Sequence, residues 1–217
     1  MAFTPKNSLK PLLAGAAGLL LAASALAAPA SAPQDELKTV TEQIRGMIKQ
    51  HHTEYAADKG KFYAAMNEQL IPHFDVPYIA KYVLGLNYRS ASADQRTRFA
   101  NAFKDMLMRS YADALLDKYD SVKVDWQTPR LADGATDALV TSILTQDNGQ
   151  KTNIGFRVHV VDNDWKVWDI VVENISLATN FKSQINAEIK KTSLDDVIGR
   201  MEKGESVAAP NTAPGAK

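Results

Sequence analysis

The chain has 217 residues, and its 25 basic side chains balance its 25 acidic ones. A formal net charge of zero gives no electrostatic footing for nucleic acid. There is no cysteine, which excludes disulfides, thiolate nucleophiles and Cys-ligated zinc. The length suits a single domain that can bury a sizeable core.

Residues 1–27 read as an export signal peptide. Lys6 and Lys10 form a basic n-region, Leu12 to Ala23 an apolar run, and Ala25-Leu26-Ala27 a small-x-small cleavage site, with cleavage expected after Ala27. The competing reading is an uncleaved anchor. The run is shorter than the roughly 20 residues a span needs, and alanine weakens it. The leader carries two lysines and no acid, so the mature chain is two charges on the acidic side. The expected compartment is the periplasm, with one domain over 28–204 and a disordered Ala/Pro/Gly tail over 205–217.

An Ala/Pro linker leads into the first helix, whose apolar positions are Leu37, Val40, Ile44, Met47, Ile48 and Tyr55. Asp58-Lys59-Gly60 stops it, and a second helix runs from about Phe62 to Leu70. Asp75 then predicts an N-cap, Pro77 a first-turn proline, and Gly85 the end of a short apolar helix. Ser92-Ala93-Asp94-Gln95 is a capping box that opens the longest helix. Its stripe of Phe99, Phe103, Met106, Leu107, Tyr111, Ala114, Leu115 and Tyr119 is wide and rich in large side chains.

The character then changes to strand. Four segments are expected: Ser121 to Thr128, Asp137 to Thr145, Lys151 to Val161 and Asp164 to Glu173. Asn148-Gly149 signals a type I′ hairpin and Asp162-Asn163 a second tight turn. Short polar turns imply an antiparallel meander, because parallel strands need long crossovers. The last strand is apolar on both pleat faces, which asks for cover on both sides. Helices return over Ser176 to Lys191 and from Thr192/Ser193 to Gly204. The fold class is α+β, with helices packed around a four-stranded antiparallel twisted sheet.

Chemical motifs are sparse. His51-His52 are adjacent, so on a helix they diverge by about 100° and do not converge on a metal. His73 and His159 have no second ligand at a diagnostic spacing. No nucleophile elbow, P-loop or dinucleotide-binding glycine motif occurs. Ser176 and Ser193 sit where helix caps are expected. No catalytic residue, metal site or cofactor is expected, and the chain does not read as an enzyme. On pattern alone, large apolar residues between a sheet and long helices fit either a ligand cavity or a solid core.

One run decides between these readings. It holds Pro72, Phe74, Asp75, Val83-Leu84-Gly85, Tyr88-Arg89, Gln95-Arg96, Phe99, Phe103, Leu107 and Tyr111. In that order it resembles the MlaC family of periplasmic phospholipid-transport proteins, also known for toluene tolerance. The block Trp165 to Ile185 is similar to that family's strand-to-helix signature, and Ser193 to Gly204 to its last helix. The likeness runs from about Gln34 to Gly204. Tyr88 stands where the family often has Trp, Asn174 where Gly is common, Phe181-Lys182 for Tyr-Arg and Ile185 for Phe.

The resemblance implies a lipid carrier with phospholipid as cargo and no cofactor. The implied partners are an outer-membrane lipoprotein–porin complex and an inner-membrane ABC-transporter complex with its lipid-binding MCE subunit. The acyl chains would lie in an apolar cavity enclosed by sheet and helices. Expected wall residues are Val83, Leu84, Phe99, Phe103, Leu107 and Tyr111 from the helices, and Val140, Phe156, Val158, Trp168, Ile170 and Val172 from the sheet. Of the last strand's two alternating sets, Trp168/Ile170/Val172 is expected to meet lipid rather than Val167/Val171. The alternative is a non-catalytic periplasmic adaptor with a solid core.

Overall fold

The computed structural model describes Met1 and residues 31–209. The expected leader with its cleavage point, and residues 210–217 of the expected tail, lie outside the described residues.

Helix α1 (Pro33–Ala57) meets α2 (Lys59–Gln69) at one shared residue. Asp58 closes α1 through its N–H to Glu54 O, and its carboxylate accepts the N–H groups of Gly60 and Lys61 at 3.0 and 3.3 Å. The expected stop is thus a corner between two helices, with Gly60 already inside the second. A 3₁₀ turn (Ile71–His73) leads to α3 (Val76–Leu84). As expected, Asp75 caps α3, accepting the Tyr78 N–H at 2.9 Å. A one-turn α4 (Asn87–Ser90) precedes α5 (Ala93–Lys118). The capping box closes both ways, Gln95 N–H to Ser92 Oγ at 3.1 Å and Ser92 N–H to Gln95 Oε1 at 2.9 Å.

The sheet contains the four expected strands in sequence order, β1 (Val122–Gln127), β2 (Asp137–Gln146), β3 (Lys151–Val161) and β4 (Asp164–Val172), all antiparallel. A fifth, β5 (Ile175–Ser176), pairs with the end of β4 before α6 (Leu177–Lys191) and α7 (Leu194–Glu202). Asp162-Asn163 and Glu173-Asn174 both have positive φ at two successive residues, the requirement of a type I′ turn. At Asn148-Gly149 only the glycine is left-handed, so the type I′ turn expected there does not form. The hairpin closes instead through Gly149 N–H to Gln146 O at 2.8 Å, a turn followed by a glycine bulge.

Strand register defines two faces. On the inner face, Trp126 lies beside Ser142 and Ile154, Val140 beside Phe156 and Ile170, and Ile154 beside Val172. On the outer face, Leu139, Arg157 and Asp169 form one row, and Thr141, Gly155 and Val171 the next. The register between β3 and β4 shifts at Arg157/Val158, where Val158 pairs with Val167 and Trp168 is the extra residue. This bulge turns Val167 inward and Trp168 outward.

Buried side chains gather in three clusters. One joins α3, α5, α6 and α7 through Val83, Leu84, Phe99, Phe103, Ile185 and Ile198. A second joins α1, α2 and α5 through Ile44, Ile48, Phe62, Met66 and Leu116. The third lies on the inner face, where Leu37 of α1 covers Val140, Val158, Trp165 and Val167. Helix α5 serves both helical clusters, with Phe103 in one and Met108 and Ala112 in the other. The chain after α7 is seated as far as Ala209. Val207 and Ala208 are buried on the first cluster, and the Gln184 amide pairs with Ala209 in both directions, at 2.8 and 3.2 Å.

Candidate functional site

The inner face is largely apolar, with Ser142, Thr152 and Gln146 as its polar positions on β2 and β3, and it is unevenly covered. Toward the β3–β4 turn, Val140, Val158, Trp165 and Val167 are sealed by Leu37. Toward the β2–β3 turn, Val122, Val124, Leu144, Ile154 and Val172 are only half-buried and stand outside the three clusters. Between these zones lie Trp126 and Phe156, with ring centroids 5.6 Å apart, and Ile170, all half-buried. On α5, Leu107, Tyr111 and Leu115 recur at four-residue steps and so share one helix row. They too are half-buried, at the margins of the two helical clusters.

The expected wall residues therefore separate into four groups. Val83, Leu84, Phe99 and Phe103 are interior to the helical core, Phe103 making an edge contact with Phe181 at 5.4 Å. Leu107 and Tyr111 sit on the half-buried row of α5. Val140, Phe156, Val158, Ile170 and Val172 share the inner face. Trp168 does not join them, because the bulge places it on the outer face with Tyr78, Tyr82 and the Arg157 guanidinium. The expected set Trp168/Ile170/Val172 is thus split by one inserted residue, and Val167, expected on the opposite face, takes the inward position.

Two polar features frame this face. On the outer side, the buried Asp169 carboxylate accepts the Ala178 N–H at 2.9 Å, the Ser176 hydroxyl at 2.7 Å and Arg157 Nη1 at 3.2 Å, which fastens the start of α6 to β4. Along the β4 edge, Asp75 donates its N–H to Val167 O at 3.0 Å and its carboxylate meets His159 Nε2 at 2.9 Å. Phe74, one residue earlier, packs on the inner side. On the inner face itself, Ser142 is buried and its Oγ has no hydrogen-bond partner. Such a hydroxyl costs about 1–3 kcal/mol. Sequence reasoning missed Ser142, although it is the polar exception in the inward series Ala138, Val140, Ser142, Leu144.

Two open surface clefts lie elsewhere. One of about 580 Å³ is bordered by Asp35, Lys38, Thr39, Glu42 and Gln43 on α1. One of about 440 Å³ lies between α6, α7 and the seated tail. None of the expected wall residues borders either cleft. Among the described residues, no group of three or more His, Asp or Glu side chains is placed to hold a metal, and no helix is long and apolar enough to cross a membrane.

An antiparallel sheet with α1 on its apolar inner face and α6 fastened to its outer side defines an α+β protein. The chain belongs to the MlaC protein family, whose model matches residues 38–203. It is 29% identical over 179 residues to the toluene tolerance protein ttg2D of Pseudomonas putida, covering 82% of each chain. It is 23% identical over 180 residues to the intermembrane phospholipid transport system binding protein MlaC of Haemophilus influenzae, covering 81% of this chain and 83% of the relative. Among solved structures, the fold is similar to that of a phospholipid-binding protein from Ralstonia solanacearum in complex with a phospholipid. The TM-score is 0.72 at 24% identity, over 80% of this chain and 96% of that one.

Proposed function

We propose that this protein is a periplasmic phospholipid carrier whose cargo lies between the inner sheet face and α5. The observation that carries the reading is the unevenly covered inner face. A solid core closes over its apolar residues in one contiguous cluster. Here the sheet cluster is separate from the two helical ones, and half-buried apolar side chains lie at the margins of each. Phe156, Ile170, Val172 and Ile154 form one wall, and Leu107, Tyr111 and Leu115 the other. The family membership and the phospholipid in the Ralstonia solanacearum structure support the same cargo.

The energetics suit a carrier. Burying a methylene gains about 0.8 kcal/mol, so two chains with roughly 30 methylenes gain on the order of 25 kcal/mol. A bilayer offers the lipid a similar gain, so loading and unloading are nearly balanced. The barrier is the aqueous passage between membranes, and shielding the chains lowers it without a catalytic group. Net direction then comes from the partners, an outer-membrane lipoprotein–porin complex and an inner-membrane ABC-transporter complex with its MCE subunit.

Native mass spectrometry of protein purified without added lipid tests this reading. The expected result is a protein–phospholipid complex. Lipid-free protein throughout would overturn it and favour a solid-core adaptor. Phe156→Asp, which puts a carboxylate on the half-buried face, is expected to abolish lipid retention while far-UV circular dichroism stays native.

A further inference from the structure

Apolar walls suffice to hold acyl chains, yet the inner face carries two buried hydroxyl residues, Thr152 and Ser142, and the hydroxyl of Ser142 is the one without a hydrogen-bond partner. Ser142 lies at the middle of β2, facing Trp126 across one ladder and Ile154 across the other. Paired residues leave the sheet on the same side, so its side chain points to the inner face with theirs. Val140 and Leu144, the inward residues on either side of it, are aliphatic. Ser142 is 1% exposed, and its Oγ has no partner in the protein. Alanine would fill much the same volume without that unmet donor.

A donor held in an apolar space is matched by an acceptor that enters with an apolar ligand. In a phospholipid, the phosphate and headgroup keep their charge in water, because burying an unpaired ion costs far more than burying a neutral carbonyl. The acceptors that travel with the chains are the acyl ester carbonyls.

We propose that Ser142 Oγ donates a hydrogen bond to an acyl ester carbonyl of the bound lipid, which fixes the depth of the glycerol and selects ester-linked over ether-linked chains. The proposal rests on the phospholipid reading above. It makes Ser142 a specificity residue and assigns a polar subsite to a largely hydrocarbon face.

The test compares wild type with Ser142→Ala, each delipidated. Both are titrated with a diacyl phosphatidylethanolamine and with its dialkyl ether analogue of the same headgroup and chain length. Wild type is expected to prefer the diacyl lipid about fivefold, which is the net worth of one hydrogen bond, about 1 kcal/mol, at 1.4 kcal/mol per tenfold. Ser142→Ala is expected to bind both lipids equally, at the wild-type affinity for the ether lipid. It should melt at or above the wild-type temperature, having lost an unpartnered hydroxyl. Wild type binding the two linkages equally, or Ser142→Ala keeping the preference, would overturn the assignment. Failure of the underlying reading has a different signature, wild type binding neither lipid, and would remove both.

Discussion

Asp169 offers a quantitative test of how the sheet holds its outer helices. Its side chain is wholly buried, while its partner Arg157 is 41% exposed. Replacing it by alanine removes three hydrogen bonds to a carboxylate, to Ala178 N–H, Ser176 Oγ and Arg157 Nη1. A hydrogen bond to a charged group is worth about 1.5–3 kcal/mol, but Arg157 regains water in the variant, which brings its pair near the surface value of about 0–1 kcal/mol. Ser176 is half-buried and recovers in part. Ala178 is buried, and its N–H is left unmet at about 1–3 kcal/mol. The sum is about 3 kcal/mol. For a domain of this size, about 2–4 °C is lost per kcal/mol, so Asp169→Ala should melt about 6–12 °C lower. Urea unfolding followed by circular dichroism should show the loss in the midpoint with an unchanged slope. Asp169→Asn should fall between, since its amide oxygen can still accept from Ala178. If Asp169→Ala loses less than about 1 kcal/mol, the carboxylate does not hold α6, and the apolar contacts of Phe181 and Ile185 suffice.

Four further outcomes are expected. Phe99 is fully buried and stacked on Phe103 at 5.6 Å, so Phe99→Ala should cost about 3–5 kcal/mol in urea unfolding. On the carrier reading, the folded fraction should still bind phospholipid by native mass spectrometry, because Phe99 is interior to the helical core. Gly85 combines φ 57 with ψ −121, and an added Cβ would lie 3.0 Å from Lys182 Cε. Gly85→Ala should therefore lose about 1–3 kcal/mol by the same assay. Truncation after Gly204 removes the buried Val207 and Ala208 and should lower stability by about 2 kcal/mol; an unchanged urea midpoint would mean that the seated tail is not part of the domain. Lys61 holds the Glu54 carboxyl below the ordinary value of 4.5, Lys191 and Arg200 do the same for Glu188, and Arg98 for Glu202. Depressed carboxyls contribute in full above their unfolded value and lose that contribution as pH falls through the folded one. The urea midpoint should thus fall as pH drops below about 4.5, and Glu188→Gln should flatten that limb.

Local chemistry made the elements legible. Asp75 and Ser92 cap the helices they announced, because a capping side chain acts on backbone two or three residues away. The strands fall within about two residues of the expected limits for the same reason, their turns being short and polar. What failed depended on neighbours distant in sequence. Period-2 counting places Trp168 with Ile170 and Val172, but the bulge at Arg157/Val158 exists only against β3, and no count along β4 reveals it. The Ala/Pro/Gly tail has a disordered composition, yet Val207 and Ala208 find a place on α6 and α7 that composition does not encode.

The candidate site was legible as a set of apolar residues and illegible as a surface. Val83 and Phe99 carry the same sequence signature as Leu107 and Phe156, since core and cavity wall both select large hydrocarbon side chains. Only packing separates them, the first pair fully buried and the second half-buried, Leu107 beside the helical cluster and Phe156 beside the sheet cluster. A polar residue on such a face behaves differently. Once β2 is registered against β1 and β3, Ser142 is the one inward position between Ala138 and Leu144 that hydrocarbon packing does not explain. An apolar face is weak evidence for any particular ligand, because solid cores have one too. A buried hydroxyl without a partner is stronger, because a solid core gains by replacing it with alanine, whereas an acyl ester gives it an acceptor.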